Sequence, residues 1–268
     1  MRVAIIGCGA IGSYVAKGIG SGTCGKYELA GVLDVPRPQA AEKLADELNC
    51  KACEDLERLL DLGPDLVVEA ANREAAWSFG ERCLERGANL VILSSGSLLD
   101  SEFKRRLTDV ARRLKRKIYV PSGALGGLDV ARAASVTGQA RASLVTSKPP
   151  KTLGGAPYLK GRDLAGLDQA ERIFDGSVED GVSGFPQNVN VAASLSLAMG
   201  GTNAVNLAIV ADPHLDSNVH RVEISGEFGR AFVEMQGRTM PDNPKTSALA
   251  AMSIIALLRR IQDPLEVG

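Results

Sequence analysis

The chain of 268 residues carries 31 lysines and arginines against 32 aspartates and glutamates, a formal net charge of −1, with 45% hydrophobic and 24% charged residues. That balance excludes a disordered or collagen-like chain and lacks the basic excess of a duplex binder, so no nucleic-acid partner is expected. The length suits two domains of ordinary size. No signal peptide fits before the first strand, and no apolar stretch reaches the roughly 20 residues of a membrane span, so a cytoplasmic protein without a membrane partner is expected.

The first 120 residues alternate two hydrophobic periods. "RVAIIG" is a buried-type strand, followed by the helical "AIGSYVAKGIG". "YELAGVLD" reads as the next strand, "RPQAAEKLADELN" as a helix with proline in its first turn, and "DLERLL" as a short helix. Three more apolar strands, "DLVVEAA", "NLVILSS" and "KIYVPS", are separated by helical stretches at 73–86 and 101–115. The run "RRLKRK" ends the second of these helices, where cations suit the helix dipole, and reads as a solvated face. Strands alternating with helices imply right-handed crossovers and a doubly wound parallel sheet.

After "PSGALGGLD" the rhythm changes. Residues 137–147 read as a strand, "KPPKTLGGAP" as a loop, "NVNVAASLSLAMG" as a helix and "AVNLAIVAD" as a strand. "NVHRVEIS" and "GRAFVEMQG" alternate strictly and, joined by "GEFG", form a predicted antiparallel hairpin. A final "NPKTSALAAMSIIALLRRI" reads as an amphipathic helix after a loop, running on from Asn243, and its stripe (Leu249, Met252, Ile255, Ala256, Leu258) needs a partner. The expected organisation is a dinucleotide-binding α/β domain over 1–120, to which 241–268 returns, and an α+β domain with a mixed or antiparallel sheet over 121–240.

"GCGAIG" places Gly7, Gly9, Ala10, Ile11 and Gly12 between the first strand and helix. That is where G-x-G-x-x-G chemistry operates: a tight turn, close backbone approach to a pyrophosphate, and helix-start N–H groups aimed at the anion. Asp34 ends the second strand about 20 residues downstream, where an acidic side chain takes a ribose 2′-OH. Its charge favours NAD over NADP, although Arg37 close by could meet a 2′-phosphate. Cys50 and Cys53 form a lone CxxC with no second pair, and a structural turn is expected there rather than a metal site.

Only two histidines occur, His214 and His220. His220 alternates with Val222 and Ile224 and so points with the apolar set, which fits either a buried structural imidazole or a site residue. His214 follows "DP" in a turn and reads as a solvated loop residue. Asn188 and Asn190 open a helix, where capping accounts for one of them but not for both.

"GCGAIG", "PSGALGGLD", "FPQNVNVAASLSLA", "DPHLDSNVHRVEISGEFG" and "NPKTSALAAMS" together resemble the L-aspartate dehydrogenase family over nearly the whole chain. The resemblance implies a Rossmann domain, an α+β catalytic domain and a homodimer. It also implies NAD(P)-dependent oxidative deamination of L-aspartate to iminoaspartate, which feeds NAD synthesis or hydrolyses to oxaloacetate and ammonia. It places the active-site histidine at His220, cofactor contacts at Ala124 and Asn190, and a basic substrate-binding residue at Lys148, with Asn190 also available to substrate. Ser147 stands where a further basic residue is common in the family. Alternatives are a homoserine dehydrogenase or dihydrodipicolinate reductase relative, or a non-catalytic dinucleotide sensor; the "NVN" and "NVH" pair speaks against the sensor.

Overall fold

Strands buried on both faces of a parallel sheet need continuous apolar runs, and the N-terminal part of the chain supplies them. In the computed structural model, which describes residues 1–186, 189–240, 243–265 and 267, the elements of this part begin with β1 (Arg2–Ile6), α1 (Ala10–Gly20), β2 (Glu28–Leu33) and α2 (Pro38–Leu48). They continue with β3 (Lys51–Cys53), α3 (Leu56–Asp61), β4 (Leu66–Glu69) and α4 (Arg73–Glu85), then β5 (Asn89–Ile92), α5 (Ser101–Leu114) and β6 (Ile118–Tyr119). The six strands form one sheet in the order β3-β2-β1-β4-β5-β6, with every pairing parallel. This is the doubly wound arrangement, and its order reverses between β1 and β4. The connections there leave in opposite directions and open a crevice at the carboxyl ends of the strands.

The expected turn at Cys50 and Cys53 is corrected in part: Cys53 lies in the edge strand β3, a three-residue strand too short and polar to show as a periodic run. All five cysteines are free thiols, and among the described residues no group of three or more His, Cys, Asp or Glu could hold a metal ion. No helix among the described residues is long and apolar enough to cross a membrane.

The remainder holds α6 (Leu128–Ala134), β7 (Arg141–Lys148), β8 (Glu171–Ser177), α7 (Val178–Gly184), α8 (Asn190–Ala198) and β9 (Val205–Ala211). It ends with β10 (Val219–Gly226), β11 (Gly229–Gln236), β12 (Thr239–Met240), β13 (Asn243–Ser247) and the C-terminal α9 (Ala248–Gln262). A five-stranded sheet runs β11-β10-β7-β9-β8. Its β7–β9 pairing is parallel and the others are antiparallel, so the sheet is mixed. The predicted hairpin is present, with Val222 opposite Val233 and Gly226 opposite Gly229. On one face lie Leu144, Leu207, Ile209, Val222 and Ile224, all buried. Helix α7 sits close upon this sheet because Gly181 leaves room: a Cβ there would fall 2.5 Å from the side chain of Leu207.

The chain divides into two compact units, one of residues Met1–Pro121 with Ala250–Gly268, the other of Ser122–Leu249. In the first, α9 packs on the core: Ile254, Ile255, Leu257 and Leu258 join Val3, Ile5, Val15, Ala16 and Ile19 in one apolar cluster. Polar contacts fix its register, since Tyr27 Oη donates to the Leu258 carbonyl at 2.8 Å and the Lys26 N–H donates to Gln262 Oε1 at 2.8 Å. Two details differ from the sequence pattern. Residues 243–247 form β13, paired with β12, where the helix is expected to have begun already, and α9 starts only at Ala248. The buried stripe of α9 is also rotated, with Met252 48% exposed and Ala251, Ile254, Ile255 and Leu258 inside. The helix is apolar nearly all round, so periodicity alone leaves its buried face ambiguous.

Candidate active site

The glycine-rich turn of the first unit has the shape a dinucleotide pyrophosphate requires. Gly7 holds φ at +97°, and a Cβ there would lie 2.7 Å from the Ala70 carbonyl oxygen. A Cβ on Gly12 would collide with the Gly7 carbonyl oxygen, so helix and turn touch backbone to backbone. Gly9, by contrast, meets only the guanidinium tip of Arg37, at 3.4 Å, and its backbone is open to approach. Gly9 is the N-cap of α1 and has no side chain to cap with, so no side chain competes for the first-turn N–H groups that Ala10, Ile11 and Gly12 contribute. These residues fit a bound NAD(P).

Asp34 is buried just beyond β2 and accepts from the Cys8 N–H at 2.8 Å and from Arg37 Nη2 at 2.8 Å, both on Oδ2. Arg37 thus rests on Asp34 and over Gly9. A cleft of about 270 Å³ runs past Gly7, Asp34, Arg37, Ala71, Asn72 and Phe79.

In the second unit, strand alternation brings three polar side chains to the apolar face of the sheet. Thr146 and Lys148 are two apart on β7 and share that face, and His220 of β10 lies opposite Thr146 in register. All three are buried, at 2%, 7% and 3% exposure. His220 Nδ1 and Thr146 Oγ1 are hydrogen-bonded at 3.1 Å, which fixes the ring and leaves Nε2 as its second functional nitrogen. Burial holds the imidazole down at about 4, with the charge of Lys148 adding to the effect. Burial likewise lowers Lys148 to about 8. The imidazole is thus held well below the ordinary histidine range near 6.5.

The other predicted residues fall as follows. His214 is exposed in a turn, where its backbone N–H donates to Asp212 Oδ1 at 2.9 Å. Ser147 is buried on β7 and points away from its two neighbours' face. Ala124 is buried in the turn before α6. That turn packs on β11: a Cβ at Gly126 would meet Met235 Sδ and Val233 Cγ1, each at 3.2 Å, and Met235 is the register partner of His220. Asn190 is the exposed first residue of α8; it is not the cap, because Val189 holds that place. Asn188 lies outside the described residues. The sequence pattern missed Thr146, an ordinary strand residue until its long-range pairing is known. It also missed Glu69, a carboxylate hidden in the apolar run "LVVEAA".

A family model described as aspartate dehydrogenase, C-terminal, matches residues 129–261, and one described as homoserine dehydrogenase, NAD binding domain, matches residues 7–121. The L-aspartate dehydrogenase of Methanosarcina mazei is 38% identical over 272 residues, covering 100% of this chain and 99% of its own. The chain belongs to the L-aspartate dehydrogenase family. Within that family, the protein of Methanocella arvoryzae is 36% identical over 269 residues, with the same coverage. The crystal structure of aspartate dehydrogenase from Thermotoga maritima superposes with a TM-score of 0.77 at 27% identity, covering 100% of this chain and 99% of that one. A putative myo-inositol dehydrogenase from Sinorhizobium meliloti, with a TM-score of 0.56 at 16% identity over 98% of this chain and 87% of its own, shares the fold. The family model described as aspartate dehydrogenase thus covers nearly all of the second unit and most of α9, while the model over residues 7–121 is described by homoserine dehydrogenase.

Proposed function

We propose that this chain catalyses the NAD(P)-dependent oxidative deamination of L-aspartate to iminoaspartate, which water converts to oxaloacetate and ammonia. The observation that carries the reading is the buried trio of Lys148, Thr146 and His220 on the otherwise apolar face of the second unit's sheet. Burying an ammonium and an imidazole in succession costs stability. A substrate with two carboxylates suits such a site, because one of them can meet the Lys148 ammonium. The nicotinamide, when bound, accepts the hydride that leaves Cα.

His220 takes the remaining proton. As Cα gives up hydride and the C=N bond forms, the amine must lose a proton, and a neutral imidazole held by Thr146 presents a lone pair for it. Substrate carboxylates beside the pair raise the proton affinity of both His220 and Lys148, so the imidazole becomes a stronger base as aspartate binds. The same imidazole, once protonated, can return a proton as water adds to the imine carbon. Gly7, Gly9, Ala10, Ile11, Gly12 and Asp34 hold the cofactor in this reading, with further contacts from Ala124 and Asn190. Lys148 binds a substrate carboxylate, a role Asn190 can share. The resemblance further supports a homodimer that supplies iminoaspartate to NAD synthesis.

Reduction of NAD⁺ with a panel of L-aspartate, L-glutamate, L-asparagine, L-alanine and L-homoserine tests the proposal. L-Aspartate should be the preferred substrate by kcat/KM. Preference for homoserine would favour the homoserine dehydrogenase alternative, and cofactor binding without turnover of any of them would favour a sensor.

A further inference from the structure

We infer that Glu69 is a positioning residue for the dinucleotide: its single buried carboxylate clamps together the turns that follow β4 and β5 and holds the first of them against the glycine-rich turn. The inference rests on the first unit being an NAD(P) site. Glu69 ends β4 beside the point where the strand order reverses and is 1% exposed. Oε1 accepts from the Ala71 N–H at 2.8 Å and from Ser94 Oγ at 2.8 Å, and Oε2 accepts from the Ser94 N–H at 3.0 Å. The Asn72 N–H also points at the carboxylate.

Each of these donors belongs to a segment with a further task. Ala71 and Asn72 line the cleft that holds Asp34 and Arg37. Ala70 and Ala71 are the backbone that a Cβ on Gly7 would strike, so the wall against the pyrophosphate turn is the one Glu69 fixes. Asn72 in turn caps α4, its Oδ1 accepting from the Ala75 N–H at 2.8 Å. Ser94 opens the short helical turn at Ser95–Leu99, beyond the end of β5. A carboxylate accepts at both oxygens, whereas a glutamine amide accepts at one and presents N–H groups at the other. Glu69→Gln therefore sets a donor against a donor at either the Ala71 side or the Ser94 side, and one wall of the cleft loses its anchor. Burial pushes the carboxyl up to about 7, a cost that an apolar residue at the end of β4 would avoid.

The test uses the full-length chain as wild type, Glu69→Gln and Ser94→Ala, with NAD⁺ affinity by calorimetry, KM for each substrate, kcat at saturating NAD⁺, and Tm. Glu69→Gln should weaken NAD⁺ binding about tenfold or more, the scale of a buried donor left unsatisfied, with KM for NAD⁺ following. KM for L-aspartate and kcat at saturating NAD⁺ should stay within about twofold on the same scale. Ser94→Ala removes the hydroxyl donor but keeps the N–H, and should weaken NAD⁺ binding by about threefold. A Glu69→Gln protein that melts lower yet binds NAD⁺ as the wild type does would overturn the inference, leaving Glu69 structural only. Should Glu69→Gln not fold, Ser94→Ala decides alone, with unchanged affinity overturning the inference and weakened affinity at unchanged Tm sustaining it. A wild type that binds no dinucleotide overturns the functional reading and this inference with it.

Discussion

Replacing Lys148 by methionine should make the protein more stable and a worse enzyme. The ammonium sits 7% exposed, and burial lowers it from 10.5 to about 8. At 1.36 kcal/mol per pKa unit, holding that charge costs the fold about 3 kcal/mol at any pH below 8. Between pH 8 and 10.5 the unfolded chain keeps a proton that the folded chain releases, so the penalty fades across that window and is gone above it. Methionine fills similar space without charge, and relief of buried charge by an apolar residue is often stabilising. Lys148→Met should therefore gain up to about 3 kcal/mol at pH 7, a rise in Tm of roughly 6–12 °C at 2–4 °C per kcal/mol, and should gain almost nothing at pH 10.5. In steady-state kinetics the same variant should raise KM for L-aspartate by about 100-fold, the value of a lost charge-assisted hydrogen bond, with NAD⁺ affinity unchanged. Melting curves at the two pH values and a KM titration check both parts. A variant that is destabilised at pH 7 would refute the burial cost, and one that binds aspartate as well as the wild type would refute a substrate role for this cation.

His220→Ala should lower kcat by about 100-fold or more with NAD⁺ affinity retained, while His214→Ala, which loses only an exposed ring, should be silent; kcat per folded molecule and Tm for both variants check this. A fully active but destabilised His220→Ala protein would reduce His220 to a core residue. Because His220 is held near 4 and titrates near 6.5 when unfolded, the unfolded chain binds the extra proton between those values. Stability should thus fall by about 3 kcal/mol as pH drops from 6.5 to 4, and urea midpoints should show a shallower acid slope in His220→Gln. Asp34→Ala should weaken NAD⁺ about tenfold while NADP⁺ holds or improves, since Arg37 loses its 2.8 Å partner and is released toward a 2′-phosphate; cofactor titrations that leave NAD⁺ unchanged would exclude Asp34 from the ribose site.

Much of this could be read from the chain because burial on both faces writes long apolar runs. The strands β1, β2, β4 and β5 announce themselves, and the glycine turn stands between strand and helix where it must. The elements that escaped are short or polar. The edge strand β3 has three residues, β8 reads "ERIFDGS", and α6 and α7 have seven residues each. Their stability comes from contacts distant in sequence, such as the Tyr158–Phe174–Phe185 ring cluster with centroids 5.3–5.8 Å apart. In the site, alternation alone put His220 with the apolar face. Its partner Thr146 depends on the register of two strands more than seventy residues apart, and Glu69 on a turn after a neighbouring strand; no local pattern encodes either. The depression of His220 likewise follows from burial and from Lys148, which periodicity does not place beside it.

Transfer of deuterium from L-aspartate labelled at Cα tests the central claim most directly. With [2-²H]-L-aspartate and NAD⁺, the reduced cofactor should carry one deuterium at nicotinamide C4 by mass spectrometry, with oxaloacetate and ammonia formed in equal amounts. Reduced cofactor without the label, or reduction that does not depend on L-aspartate, would contradict the account.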